Sequence, residues 1–345
     1  MSNEIKTKSS HTPDGFDVNS YYPSKKTLAG LVAQMNTPQL KEAIKPGFIA
    51  RTDGFDVDEI INTLEQHAEK DSQYAGLLSR TLSVSDLSAR LYKRFAENPN
   101  SLYNWYPAVV KALGISKTSL KSPATKVMRL PIELAQFIRI EYPQTSERDK
   151  QLFNEFIFNE MGLEDDKTYF IKTGTFSSKF QFANAKCAEP REMGEYFQVI
   201  NNFAMMVGAG HSVDVVVREY IEDVENNPTI YNGMPLRTEF RVFVDCDTNE
   251  LIGVVPYWHP IVMKRALKHG LADSIQADYK TYLAHEDKLT RDYNDHLQRV
   301  KQEIKAILPN LNLTGQYSID IMKNGDDLYV IDLALMSESA LTELL

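Results

Sequence analysis

The run Tyr317-Ser-Ile-Asp-Ile-Met-Lys-Asn-Gly-Asp-Asp-Leu-Tyr-Val-Ile-Asp-Leu-Ala-Leu335 reads as two β-rich segments, Tyr317 to Met322 and Leu328 to Leu335. They join through the turn-type residues Asn324-Gly-Asp-Asp327, the pattern of an antiparallel hairpin. Side chains alternate faces along a strand, and the turn sets which residues stand opposite each other. A loop of three or five residues centred on Asp326 sets Asp320 directly across from Asp332, whereas a loop of even length sends the two aspartates to opposite faces. Facing carboxylates on neighbouring strands repel unless a cation or a shared proton lies between them. Magnesium suits such a place, because it is usually held by one or two carboxylates together with water and phosphate oxygens.

Outward from this hairpin, Thr238 to Asp245 and Glu250 to Trp258 predict a second one, turning through Asp245-Cys-Asp-Thr-Asn-Glu250. In Thr238-Glu-Phe-Arg-Val-Phe-Val244 the residues Phe240, Val242 and Val244 share one face, and Glu239, Arg241 and Phe243 the other. An arginine there can hold phosphate bidentately while the neighbouring acid orients it or a cation. Between the hairpins, Leu289, Tyr293, Leu297, Val300, Ile304 and Ile307 form the apolar stripe of a long helix.

Upstream, Lys167 to Lys172 and Lys179 to Cys187 read as two strands around the small polar stretch Thr173-Gly-Thr-Phe-Ser-Ser178. Lys172 closes the first strand and Lys186 lies in the second; loop amides plus lysine make a clamp for triphosphate charge. Pro190 opens a helix reaching about Val207, and Val213 to Ile221 is a buried strand.

The chain has 345 residues, 43% of them hydrophobic, enough for a substantial core in two or three packed units. A formal net charge of −9 and a pI near 5.4 argue against a broad phosphate-binding surface, and so against nucleic acid as partner. Two cysteines without a CxxC pair fit a reduced, cytoplasmic setting, and no run of about 18 apolar residues predicts a membrane span. Residues 1–25 read as a loose polar arm, and 26–100 as a helical region carrying Leu28, Leu31, Val32 and Met35, then Ile60, Ile61 and Leu64, then Leu87, Leu91 and Phe95. Neither a GxxxxGK[ST] loop nor a GxSxG elbow occurs.

The order of several short segments resembles the ATP-grasp superfamily, and within it the family of cell division cycle protein 123. Those segments are Trp105-Tyr-Pro107, Arg129-Leu-Pro131, Phe170-Ile-Lys172 with Ser178-Lys179, and Ala185-Lys-Cys187. Val217-Arg-Glu-Tyr-Ile-Glu222, Glu239-Phe-Arg241 with Leu251-Ile-Gly253, Tyr317-Ser-Ile-Asp-Ile321 and Val330-Ile-Asp332 complete the series. The likeness spans about residues 101–345 and implies an α+β fold in which antiparallel sheets of two subdomains enclose a nucleotide cleft. By that likeness 101–160 is a leading segment, 161–222 a small lysine-bearing subdomain and 223–345 a large metal-binding one.

The resemblance implies ATP and Mg²⁺ as ligands. Lys172 and Lys186 would reach phosphates and base, and the hinge Arg218, Glu219, Tyr220, Ile221 and Glu222 would meet adenine and ribose, with Glu239 beside them. Arg241 would act on the transferred phosphoryl group, while Asp320 and Asp332 would hold metal. The family places an asparagine where this chain has Ala334, and Glu338 follows as the residue that would compensate as a metal ligand. Two activities are consistent with these expectations. One is an ADP-forming ligase that joins a carboxylate substrate to an amine through an acyl phosphate. The other is a nucleotide-binding assembly factor for a protein partner, working without ligation, or a degenerate domain of the same fold.

Overall fold

The computed structural model describes residues 89–345, apart from 131, 136–141, 208, 211 and 269–272, together with 10–11, 17–21 and 66. The helices expected around Leu28 to Met35 and Ile60 to Leu64 fall outside the described residues. In chain order the first elements are β1 (Ser10–His11), β2 (Asp17–Tyr21), α1 (Ala89–Ala96), α2 (Leu102–Ile115), β3 (Thr125–Arg129) and α3 (Glu147–Glu160). Next come β4 (Tyr169–Thr173), β5 (Lys186–Cys187), α4 (Met193–Met206), β6 (Asp214–Glu219), β7 (Thr229–Ile230) and β8 (Met234–Pro235). The last are β9 (Glu239–Asp245), β10 (Glu250–Pro256), α5 (Pro260–Lys268), α6 (Asp273–Ile307), β11 (Gln316–Asn324) and β12 (Asp327–Leu335).

Alternation in the two C-terminal hairpins produces a four-stranded antiparallel sheet in the order β10-β9-β11-β12. One face, with Phe240, Val242, Val244, Ile319, Ile321 and Val330, packs on α2 and on Val300, Ile304 and Ile307 of α6. Burying this stripe removes apolar surface from water at roughly 25 cal/mol per Å², and it leaves Glu239, Arg241, Asp320 and Asp332 for the other side.

The other large sheet runs β1-β2-β3-β6-β4-β5, antiparallel except where β2 lies parallel on β3. It is covered by α3 and α4, whose Phe153, Ile157, Phe197 and Ile200 bury against Met128, Ile171, Val215 and Val217. Strands Ser10–His11 and Asp17–Tyr21 thus come from the stretch read as a loose arm; the polar composition there omits the ladder that β3 offers at the sheet edge. Between the sheets lies a cleft, the α+β arrangement that the resemblance implies.

Lys179 to Cys187 was expected as one strand, and only Lys186–Cys187 pairs with β4. Lys179–Gln181 is a 3-10 turn and Phe182–Ala185 a single helical turn. The Phe182 N–H donates to the Tyr231 carbonyl at 3.1 Å, and its ring buries with Ile230, Leu236 and Trp258, so tertiary packing overrides the local strand pattern.

The final hairpin brings Asp320 opposite Asp332 by a route the turn alone does not provide. Asn324 pairs with Asp327, so the loop is the two residues Gly325-Asp326, which by itself would leave Asp320 facing Ile331. The register shifts between Asp320 and Ile321, and Ile331 is the extra residue of a β-bulge. Gly325 takes φ +61°, a conformation costing an L side chain about 1–2 kcal/mol, and an added Cβ would lie 3.0 Å from Val224 Cγ2. Gly325→Val is therefore expected to lower stability by about 1–2 kcal/mol, read as a reduced urea midpoint with an unchanged slope.

Candidate functional site

Three antiparallel strands place Arg241, Asp320 and Asp332 in one row across the second sheet, because Asp320 pairs with Arg241 on one side and with Asp332 on the other. The Arg241 guanidinium binds Asp320 in a bidentate fork, Nε to Oδ1 and Nη2 to Oδ2 at 2.8 Å each. From the facing sheet, Lys172 Nζ donates to both Asp332 oxygens at 2.9 Å. The two carboxylates are thus neutralised by separate cations, which removes the cross-strand repulsion.

Lys172 is 1% exposed, so burial pushes its ammonium down while Asp332 opposes that shift. Burial likewise pushes Asp332 up, yet Lys172 and Arg218 outweigh it and hold this carboxyl below the ordinary range. The pair ties the two sheets together across the cleft.

Arg218 supplies a second tie, donating from Nη1 to the Ile331 carbonyl at 2.5 Å. The bulge makes this bond available, since an extra residue leaves its carbonyl out of the ladder. Among the described residues, buried Nε and Nη2 of Arg218 have no hydrogen-bond partner, nor do the hydroxyls of Thr175 and Ser178 in the neighbouring loop. Unmatched buried donors are costly.

The cleft has about 810 Å³ of empty space, counted out to solvent. It is lined by Lys172, Arg218, Glu219, Tyr220, Ile221, Glu239, Asp320 and Asp332, eight of the residues expected from the sequence. At the hinge the Tyr220 N–H donates to Thr168 and the Ile221 carbonyl accepts from Arg237, whereas the Ile221 N–H makes no hydrogen bond among the described residues. Four expected residues are not part of the lining. Lys186 sits at the rim, 3.9 Å from Glu222 and 4.0 Å from the centre of the Tyr220 ring. Arg241 stands behind Asp320, and Glu338 accepts from the Asn100 amide at 2.5 Å. Among the described residues no three His, Cys, Asp or Glu side chains converge as a metal cage, and the carboxylates lining the cleft are Glu219, Glu239, Asp320 and Asp332.

Two lining cations escaped the sequence reading, Lys179 and Arg237. Arg237 was detectable: it continues the period-two series with Glu239 and Arg241 on the cleft-facing side of the strand. Its guanidinium donates to Asp223 at 3.2 Å and to the Ile221 carbonyl at 2.6 Å, bracing the hinge. Lys179 lies in a 3-10 turn where no parity applies, and its Nζ is 3.9 Å from the Tyr257 ring centre. Burial pushes Lys179 down, against the pull of Glu239 and Asp320.

No family model matches this sequence, and no curated protein matches it. Solved structures do. The C-terminally truncated Cdc123 from Schizosaccharomyces pombe is similar to it with 13% identity and a TM-score of 0.45, covering 74% of this chain and 89% of that one. Phosphoribosylglycinamide synthetase from Anaerococcus prevotii follows with 13% identity and a TM-score of 0.27, over 67% of this chain and 41% of that one. D-alanine–D-alanine ligase from Bacillus anthracis, solved with ATP, shows 10% identity and a TM-score of 0.26, over 66% and 56%. Among the described residues no helix is long and apolar enough to cross a membrane.

Burial, with Asp320 adding, pushes the Glu239 carboxyl up to about 7, and Lys179 opposes the shift. A carboxyl raised in the folded state favours folding at low pH and loses that contribution as pH climbs from its unfolded value near 4.5 through 7. Glu239→Gln is expected to flatten the stability profile across this window and to be at least as stable as the parent at pH 8, measured by denaturation at successive pH values.

Proposed function

We propose that the cleft binds Mg-ATP and that the protein uses it to join a carboxylate to an amine, releasing ADP and phosphate. The observation that carries this reading is the opposition, across one cleft, of an aspartate pair on the second sheet to Lys172 and Arg218 on the first. Phosphoryl transfer asks a protein mainly for positioning and charge neutralisation, and it needs no protein nucleophile.

In this reading Asp320 and Asp332 would hold Mg²⁺, which would supply neutralisation of charge on the phosphates. Lys172, Lys179 and the unmatched N–H groups of Arg218 bind phosphate oxygens, while the Ile221 N–H and the aromatic Phe170 and Tyr220 receive the base. A substrate carboxylate oxygen attacks the γ-phosphorus and the bond to the bridging oxygen of ADP breaks. The amine nitrogen then attacks the acyl carbon, the bond to the phosphate oxygen breaks, and the amine proton leaves to solvent. Lys172 and Arg241 pair with these aspartates, so a cation held there would share each carboxylate with a protein cation.

A second reading has one observation in its favour. The aspartate row holds only two carboxylates, with Ala334 opposite Ser318 beyond it, which suits a nucleotide held without turnover by an assembly factor. Calorimetric titration should show Mg-ATP binding that Lys172→Ala and Asp332→Asn each weaken by about tenfold or more. Incubation with Mg-ATP, amino acids and small carboxylates should yield ADP and a new amide in equal amounts. Binding without ADP would establish the assembly-factor reading, and unchanged titrations for both variants would remove the site.

A further inference from the structure

Strand β6 ends at Glu219, and residues 220–223 of the hinge belong to no ladder, so partners outside the strand must fix their peptide groups. The Tyr220 N–H donates to the Thr168 carbonyl at 3.0 Å. Downstream, Arg237 Nη2 donates to the Ile221 carbonyl at 2.6 Å. Asn324 then bonds twice: Nδ2 donates to the Glu222 carbonyl at 3.1 Å, and Oδ1 accepts from the Val224 N–H at 3.3 Å. Because peptide groups are planar, anchoring those on either side restricts the one between Tyr220 and Ile221. That group carries the Ile221 N–H, which makes no hydrogen bond among the described residues, and Ile221 lines the cleft.

We infer that Asn324 is a positioning residue for the nucleobase, fixing the hinge so that the Ile221 N–H is held ready for an acceptor atom of the base. The inference rests on the nucleotide binding proposed above and adds a residue to it. Asn324 ends β11, in the hairpin that carries Asp320 and Asp332, and is 7% exposed. It does not line the cleft, so its effect on a ligand passes through the hinge. A primary amide offers a donor and an acceptor at a fixed spacing, which is what two consecutive peptide groups of the hinge require. The turn itself lies close by, since a Cβ added at Gly325 would come 3.0 Å from Val224 Cγ2.

A donor ordered before the ligand arrives need not be ordered on binding, so Asn324 governs the share of affinity that comes from the base and not the share that comes from the phosphates. Arg237 braces the same segment but is a poorer probe. It lines the cleft with its charge and pairs with Asp223 at 3.2 Å, so its loss would disturb phosphate and base alike.

Calorimetric titration of the full-length protein with Mg-ATP and with Mg-tripolyphosphate separates the two shares. The parent should bind Mg-ATP the more tightly. Asn324→Ala should weaken Mg-ATP by about tenfold and leave Mg-tripolyphosphate unchanged. Asn324→Ser, neutral and too short to span both peptide groups, should do the same, and it serves as the test if the alanine variant does not fold. A loss shared by both ligands would mark Asn324 as merely structural, and a loss for neither, or a parent that binds both equally, would likewise overturn the inference while leaving anion binding in the cleft intact. A parent that binds neither ligand would remove the nucleotide reading and this inference with it.

Discussion

Two cations of the first sheet grip two consecutive residues of the last strand: Arg218 takes the carbonyl of Ile331, and Lys172 takes both carboxylate oxygens of Asp332. Most else at the site depends on this grip. A buried guanidinium and a buried ammonium each require a partner, and removing either partner from such a pair typically costs several kcal/mol. A regular strand would commit the Ile331 carbonyl to its ladder, whereas the bulge leaves it available and restores Asp332 to the position opposite Asp320. One extra residue therefore joins the sheets and assembles the acidic pair.

That arrangement concentrates charge of both signs inside an acidic protein. The chain carries a formal net charge of −9, and Lys172, Lys179, Arg218 and Arg237 converge on one cleft with Glu219, Glu239, Asp320 and Asp332. Low-dielectric walls keep such a field local and strong, so the overall charge says little about what the interior attracts.

Much of the second sheet was legible because period-two alternation is a strong local signal. The apolar series Phe240, Val242 and Val244 goes to the core, and Glu239 with Arg241 goes to the other side, as their parity requires. Loop parity left open whether Asp320 and Asp332 face each other; the loop is even, and a bulge restores the facing that an odd loop would have given. Parity could also have found Arg237. Lys179 had no such signal, because the segment expected as a strand winds into a 3-10 turn once Phe182 buries against Ile230 and Trp258.

By itself, then, the sequence determined the hairpins, the long amphipathic helix and which side chains share a strand face, since these follow from the chirality and spacing of neighbouring residues. Only the tertiary structure decided that Lys172 meets Asp332 across 160 positions, that Arg241 is spent on Asp320, and that Glu338 pairs with Asn100 away from the cleft. Pairings between distant residues depend on how two sheets pack and on which buried charge lacks a nearer partner, and no local period encodes either.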